Sequence, residues 1–407
     1  LISHPKLRYV EVLPVELEQK QLLALHDPLK IAADTIVISP DVWYIFQYFD
    51  GQHSIQEILH EYFKQFNAQL TEEQLNQIVR DLDARQYLES PGFQKFYLQL
   101  RQDYRALTLR PAAHAGHSYP ADSEALKKQL AEYFQAAAQT GPACVALNGK
   151  PIQGIIAPHI DIQAGGAAFA AAYQHCQPHE PADLYIILGT GHQGIARFFA
   201  CSGKDFETPL GTVKTDRQFL DALQTKLDFD IFSEELLHKN EHTIEFQTIF
   251  LQYLFGAQNG WKIVPILSSF SPQMVQAGAP ENRFIRKFLS GLKTTIQESG
   301  KRVVVIASAD FAHVGPRYGD QFQPSAQFIK NLEIKDLATL GLLEQPDSKK
   351  FCANISVDVH ERRICGFPPI FSLLSVLEAT HGKILTYDSV KVDNRDSTVS
   401  FASMLFY

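Results

Sequence analysis

The chain has 407 residues, enough for two or three domains, and a composition of 45% hydrophobic and 20% charged residues that matches soluble globular proteins. No apolar run reaches the ~18 residues needed to span a bilayer, so a membrane-spanning protein and a single small module are both excluded. Of the net charge of -8, most lies at the front, where residues 1–100 hold 8 Lys+Arg against 14 Asp+Glu; this excludes a basic nucleic-acid footprint there.

The first hundred residues read as strands followed by helices. Arg8–Val12 and Thr35–Ile38 have the β-branched and aromatic content of strands, and Ser39-Pro40-Asp41 is a helix start with proline at the first turn. Asp50-Gly51 breaks that helix. Ser54-Ile-Gln-Glu57 and Thr71-Glu-Glu-Gln74 are capping boxes, each followed by an apolar stripe at helical spacing: Ile55, Ile58, Leu59, Tyr62, then Leu75, Ile78, Val79, Leu82. Small strands followed by short helices predict a winged-helix-like α+β domain over residues 1–95. With its Asp-Gly turn and terminal Gln86-Tyr87-Leu88, the segment resembles PqqD-like modules, which grip peptides for modifying enzymes. Peptide or partner docking is therefore expected, and DNA binding is not. Residues 96–109, polar and arginine-bearing, read as a connector whose Leu and Tyr could also pack as helix.

From residue 110 to 407 buried strands alternate with helices. Strands are expected at Gly154–Ala157, Leu184–Leu188, Trp261–Leu267, Arg302–Ala307, Ile384–Val390 and Thr398–Met404. Helices are expected at Ser123–Ala138, Ile244–Phe255, Asn282–Ser299 and Phe367–Thr380. Near-continuous apolar strands between helices imply an α/β sandwich with the sheet covered on both faces. The Ala167–Ala172 cluster predicts a helix lying close against that sheet.

Ligands of open α/β sheets collect beyond the carboxyl ends of the strands. There this sequence places His159 and Asp161 after GIIAP, His192 after YIILGTG, and Asp310 and His313 after VVVIAS; 11 of the 15 histidines follow residue 110. Several imidazoles gathered at one sheet edge point to a metal or to proton transfer. Cys365, beside Arg362 and Arg363 and just ahead of a helix, is expected to have a stabilised thiolate, as metal ligand or nucleophile. His242 and Glu245 lie one turn apart at the start of another helix, where Glu245 either complements the helix dipole or orients a ligand. The match of Gly189-Thr-Gly191-His-Gln-Gly194 to a dinucleotide fingerprint is set aside, because Ile195–Cys201 reads as a strand rather than a helix. The remaining cysteines, Cys144, Cys176, Cys201 and Cys352, read as inert thiols. Without CxxC spacing, and with no secretory h-region in LISHPKLRYVEV, a reducing, cytoplasmic setting is expected.

The ordered motifs Arg110-Pro-Ala-Ala-His-Ala-Gly-His-Ser-Tyr119-Pro, Ala157-Pro-His159, Leu188-Gly-Thr-Gly-His192, Glu207-Thr-Pro-Leu-Gly211, Glu241-His-Thr-Ile-Glu245, Ala309-Asp-Phe-Ala-His313-Val-Gly, Ile364-Cys365-Gly366 and Asp396-Ser-Thr-Val-Ser400 resemble the Memo family, known in prokaryotes as AmmeMemoRadiSam system protein B. The resemblance covers about residues 108–407. It implies a fold similar to class III extradiol dioxygenases with a central mixed sheet, and a metal-binding triad at His159, His192 and Cys365. It further implies that Asp310, His313, His242 and Glu245 line the same pocket, and that a radical SAM enzyme and an AMMECR-type protein are partners. This chain departs from the usual Pro-His-Ala-Gly-Tyr with Pro158-His159-Ile160-Asp161-Ile162, which puts a carboxylate near the site. It also has Thr190-Gly191 where Pro-Ser is commoner.

The leading expectation is a redox-active iron or copper protein with His313 as acid/base and His242 and Glu245 tuning it. Thiolate ligation suits copper(I), zinc or iron, whereas oxygen-activating iron enzymes use a carboxylate in the facial triad. Three alternatives stay open: an adaptor with a vestigial site, a zinc hydrolase on the same triad, and a Cys365 nucleophile.

Overall fold

The computed structural model describes residues 2–407 except 28, 33, 141–149, 177–179 and 258–259; Cys144 falls outside the described residues. The chain divides into two compact units, Leu1–Ala106 and Leu107–Tyr407.

In the first unit, β1 (Glu11–Leu17) and β2 (Lys20–His26) form an antiparallel hairpin. Its two turn residues, Glu18 and Gln19, both have positive φ, the backbone of a type I′ turn that matches strand twist. The side chains there carry no glycine or asparagine signal, which is why β2 was not foreseen. β3 (Ile36–Ile38) pairs with β2. Helices α1 (Pro40–Phe46), α2 (Ile55–Phe66) and α3 (Glu72–Ala84) follow, and both expected capping boxes are formed, Ser54 with Glu57 and Thr71 with Gln74. The stretch read as a connector is mostly helix, α4 (Pro91–Ala106). Leu25, Phe46, Ile58, Leu75 and Tyr87 share one core.

The second unit opens with β4 (Leu109–Arg110) and α5 (Ser123–Thr140). There follow β5 (Gly154–Ala157), α6 (Ile162–Tyr173), β6 (Leu184–Thr190), β7 (Phe199–Cys201), β8 (Asp205–Thr208), β9 (Gly211–Val213), α7 (Arg217–Gln224) and α8 (His242–Phe255). Next come β10 (Lys262–Ser268), α9 (Asn282–Glu298), β11 (Val303–Ser308), β12 (Asp310–Val314), α10 (Ala326–Leu343), α11 (Ser348–Ser356), α12 (Val359–Arg362), α13 (Phe367–Val376), β13 (Gly382–Lys391) and β14 (Thr398–Phe406). Strands β5, β11, β6 and β10 run parallel in that spatial order. β7 closes one edge antiparallel to β10, and β14 pairs antiparallel with β5, β12 and β13, giving a mixed sheet of eight strands. β4, β8 and β9 form a small separate sheet.

Burial explains why these strands read as continuous apolar runs. Along β6 every residue is buried, and alternate side chains feed opposite layers: Leu184, Ile186 and Leu188 pack in the core under α7, α9 and α13, while Tyr185 and Ile187 pack under α5, α6 and α8. The alanine-rich α6 does lie close to its neighbours. At Gly166 a Cβ would come within 2.5 Å of the Tyr133 ring of α5. Where the sequence suggested one strand over Ile195–Cys201, only Phe199–Cys201 pairs, since the preceding residues turn after Gly194, whose φ is +73°. No helix among the described residues is long and apolar enough to cross a membrane.

Phe250 of α8 is fully buried and stacks on Phe169 of α6 at 4.8 Å between ring centres. Phe250→Ala is expected to cost about 3–5 kcal/mol, read as a lower urea midpoint. An unchanged midpoint would refute the packing of α8 on α6.

Candidate metal centre

Because β5, β11 and β6 are parallel neighbours, their carboxyl ends open onto the same edge of the sheet. His159 follows β5, His192 follows β6, and Asp310 follows β11. Cys365 arrives from a different part of the chain, immediately before α13. What lets it come so close is Gly366. Its N–H donates to the Asp310 carbonyl at 3.1 Å, and a Cβ there would sit 2.4 Å from that oxygen and 2.6 Å from the Ala309 Cβ. Thr190 adds a second tie, its hydroxyl donating to the Cys365 carbonyl at 3.2 Å. Gly191 beside it has no room for a side chain, since a Cβ would meet Ile195 at 2.7 Å.

One donor atom from each of His159, His192 and Cys365 lies within 4.8 Å of the others. A metal bonded to nitrogen at ~2.0 Å and sulfur at ~2.3 Å holds such atoms about 3.3–4 Å apart, so only a small contraction is needed. The imidazoles are already oriented. His159 Nδ1 lies 2.9 Å from the Ser308 carbonyl, which leaves Nε2 directed at the Cys365 sulfur, 3.2 Å away. His192 Nδ1 lies 3.2 Å from both oxygens of Glu241, and the same ring also hydrogen-bonds Cys365. Metal-bound histidines commonly use the second nitrogen in this way. His159 is almost fully buried, while the His192 side chain keeps 36% of its surface, so the site is open on one side.

Burial works against charge on Cys365, but the nearby imidazoles of His159 and His313 and hydrogen bonds from His159 and His192 outweigh it, holding the thiol well below its ordinary range. Burial likewise disfavours charge on His159, yet Asp310 and Cys365 raise it to about 9. The arginines expected to favour the thiolate do not supply its charge: Arg362 pairs with Asp336 and Asp358, and Arg363 with Asp320. Histidine does that work here.

The other expected site residues divide. Asp310 accepts the N–H groups of His159 at 2.9 Å and Ile160 at 3.2 Å, so its carboxylate fixes the turn that presents His159. The ring of His313 has Nδ1 at 3.1 Å from the Phe311 carbonyl. His242 stacks on His192, with centres 5.2 Å apart and planes within 9°. Glu245 does not join this group. It is fully buried against Arg110 and Tyr119, and it also accepts the N–H groups of Ala113 and His114 at 3.0 Å each. Its task is to hold the segment after β4 onto α8, because a buried carboxylate must find a charge partner. Asp161 also stays out of the centre: it is exposed and caps α6 by accepting the Gln163 N–H at 2.9 Å.

Glu241 is the residue that sequence spacing missed. It caps α8 through the N–H groups of His242 and Thr243 and bonds both His192 Nδ1 and His242 Nδ1. Its place just before an apolar helix is a capping position, which is the signal that could have singled it out. Burial opposes its ionisation, but His192 and His242 hold the carboxyl well below the usual range. These bonds also account for the grouping of His192, Glu241 and His242 within 4.8 Å. His114, also unforeseen, sets its ring 5.7 Å from His242 and reaches the Asn240 carbonyl at 2.9 Å. Cys176 and Cys201 are buried far from such charge, and burial alone or chiefly pushes both thiols up, Cys176 to about 12. Cys352 is half-buried, and burial raises its thiol as well.

A profile of Memo-like proteins matches residues 110–405, which takes in every residue of this centre. The chain belongs to the Memo-like family. A MEMO1 family protein of Aquifex aeolicus is 27% identical over 408 residues, covering 99% of this chain and 100% of its own length. MEMO1 family proteins of Pyrobaculum aerophilum and Methanopyrus kandleri are 30% and 28% identical, over 74% and 73% of this chain and 100% and 98% of theirs. The Aquifex match therefore extends through the first unit.

The two glutamates of α8 should separate in experiment. Glu241→Gln is expected to weaken metal binding about 10–100-fold in equilibrium dialysis, because His192 loses its anionic support. Glu245→Gln leaves Arg110 buried and uncompensated and is expected to cost about 3–5 kcal/mol in urea unfolding. The reverse pattern would contradict these assignments.

Proposed function

We propose that His159, His192 and Cys365 hold a redox-active iron or copper ion, with His242 and His313 handling protons at the open side. The observation that carries this reading is the pre-set orientation of the two imidazoles, each with Nδ1 occupied and each reaching the same sulfur. The donor set suits the group, since two imidazoles and a thiolate match iron, copper(I) or zinc and not magnesium or calcium. When bound, such an ion supplies electron transfer or a site for an exchangeable ligand. A sulfur in place of the facial-triad carboxylate speaks against ring-cleaving oxygenation of the usual kind.

The protein's own residues divide the remaining tasks. Asp310 locks the backbone of His159, and Glu241 fixes His192 and His242 together. His242 and His313, with their Nδ1 atoms engaged, have Nε2 left for a proton on whatever occupies the open side. In the first unit, Phe63, Phe66 and Phe96 are exposed and the net charge is acidic. These features support a docking role toward a peptide or a protein partner such as a radical SAM enzyme.

Elemental analysis of anaerobically purified protein beside His159→Ala, His192→Ala and Cys365→Ser decides among the readings. Iron or copper near one per chain, falling by at least about 10-fold in each variant, is the expected result. Zinc in its place would move the reading to hydrolysis. Absence of metal from the wild type, or metal unchanged in all three variants, would overturn the centre and leave an adaptor or thiol role.

A further inference from the structure

Arg317 and Tyr318 lie in the short turn Pro316–Tyr318, directly after the strand that carries His313. The turn is braced from several directions. Gly315 N–H donates to Asp320 at 2.7 Å, Arg317 N–H donates to the Ser397 hydroxyl at 3.0 Å, and Arg363 grips Asp320. Gly315 itself has φ +106°, and a Cβ there would come within 2.7 Å of the Ser397 Cα, so the backbone admits only glycine. The side chains of residues 317 and 318 are thus carried by a fixed frame.

Tyr318 sets its ring at 89° to His313 with centres 5.0 Å apart, and it packs beside Ile160 and Val399. Burial is the main influence that pushes its phenol up to about 12; Arg317 opposes this, while Cys365, Asp310 and Asp393 add to it. The group is therefore a neutral O–H donor near neutral pH, close to both the thiolate and the Arg317 guanidinium. Its hydroxyl has no hydrogen-bond partner among the described residues.

Arg317 is exposed and makes no ion pair among the described residues. By contrast Arg110, Arg362 and Arg363, packed around the same centre, each hold a carboxylate. Asp393 accepts the N–H groups of Arg395 and Ser397. The wall beside the open side of the centre therefore offers a guanidinium, a phenol and an imidazole. The first two are donors at neutral pH, and a planar guanidinium is matched by carboxylate or phosphate oxygens.

We propose that Arg317 and Tyr318 form an oxyanion subsite beside the metal centre, and that the natural ligand is a small molecule carrying a carboxylate or phosphate. This rests on the metal reading above, with the anionic end held by Arg317 and Tyr318 and the other end directed to the open side of the centre. No covalent step is assigned to either residue; they position the ligand.

The test titrates cobalt(II)-charged protein with inorganic phosphate and, separately, with acetate, following the cobalt absorption bands. Wild type is expected to bind one of the two about 10-fold or more tightly than Arg317→Ala, with Tyr318→Phe in between and cobalt content equal in all three proteins. The better-bound anion identifies which oxyanion the subsite takes. Equal affinities in wild type and Arg317→Ala at full cobalt content overturn the subsite and leave the metal reading intact. Failure of the wild type to take up cobalt counts against the metal reading alone. The same comparison is then made on metal-free protein from the rise in thermal midpoint with each anion, where equal rises in wild type and Arg317→Ala overturn the subsite and a loss in the variant supports it.

Discussion

A thiolate placed largely out of water is costly unless positive charge and hydrogen-bond donors surround it, and that requirement at Cys365 organises the edge of the sheet. His159, His192 and His313 converge on the sulfur from the ends of separate strands. Each imidazole in turn needs an acceptor on its other side. The Ser308 carbonyl serves His159, Glu241 serves His192, and the Phe311 carbonyl serves His313. The parallel strands supply the common edge, and the short polar connections beyond them supply the acceptors. The same alternation of charge that holds the metal-free cluster together prepares a site in which a cation replaces protons.

Two glycines show how backbone approach serves this chemistry. Gly366 lets the segment before α13 touch the Asp310 carbonyl, and Gly191 lets the chain turn His192 inward past Ile195. Neither carries a function of its own. Their contribution is the space they leave, which cannot be supplied by any larger residue without moving a ligand. Gly189-Thr-Gly191 thus resembles a nucleotide fingerprint for a reason unrelated to phosphate.

Much of this was legible from sequence because burial imposes strong patterns. Strands β5, β6, β10, β11 and β14 are covered on both faces, and so they stand out as apolar runs whose ends can be located to within a residue or two. β2 and β12 did not stand out, since a half-exposed hairpin strand and a five-residue strand ending in histidine carry weak periodicity. The strand-end histidines and Cys365 could be picked out because such residues rarely gather by chance. Spacing could not tell Glu241 from Glu245, as both lie near the start of α8. Only the fold shows that Glu245 is committed to Arg110, which lies 135 residues away in sequence. Arg362 and Arg363 were misleading for the same reason: their partners come from α10, the segment before α12 and the turn after β12.

The sulfur and the imidazole it meets are separated by 206 positions along the chain, with most of the sheet between them. An ion bound there would act as a removable staple, fastening the segment before α13 to the end of β5 and closing one of the longest loops in the protein. Occupancy and conformational stability would then draw on one free energy, and the cell's supply of metal would help set how long each copy of the protein survives.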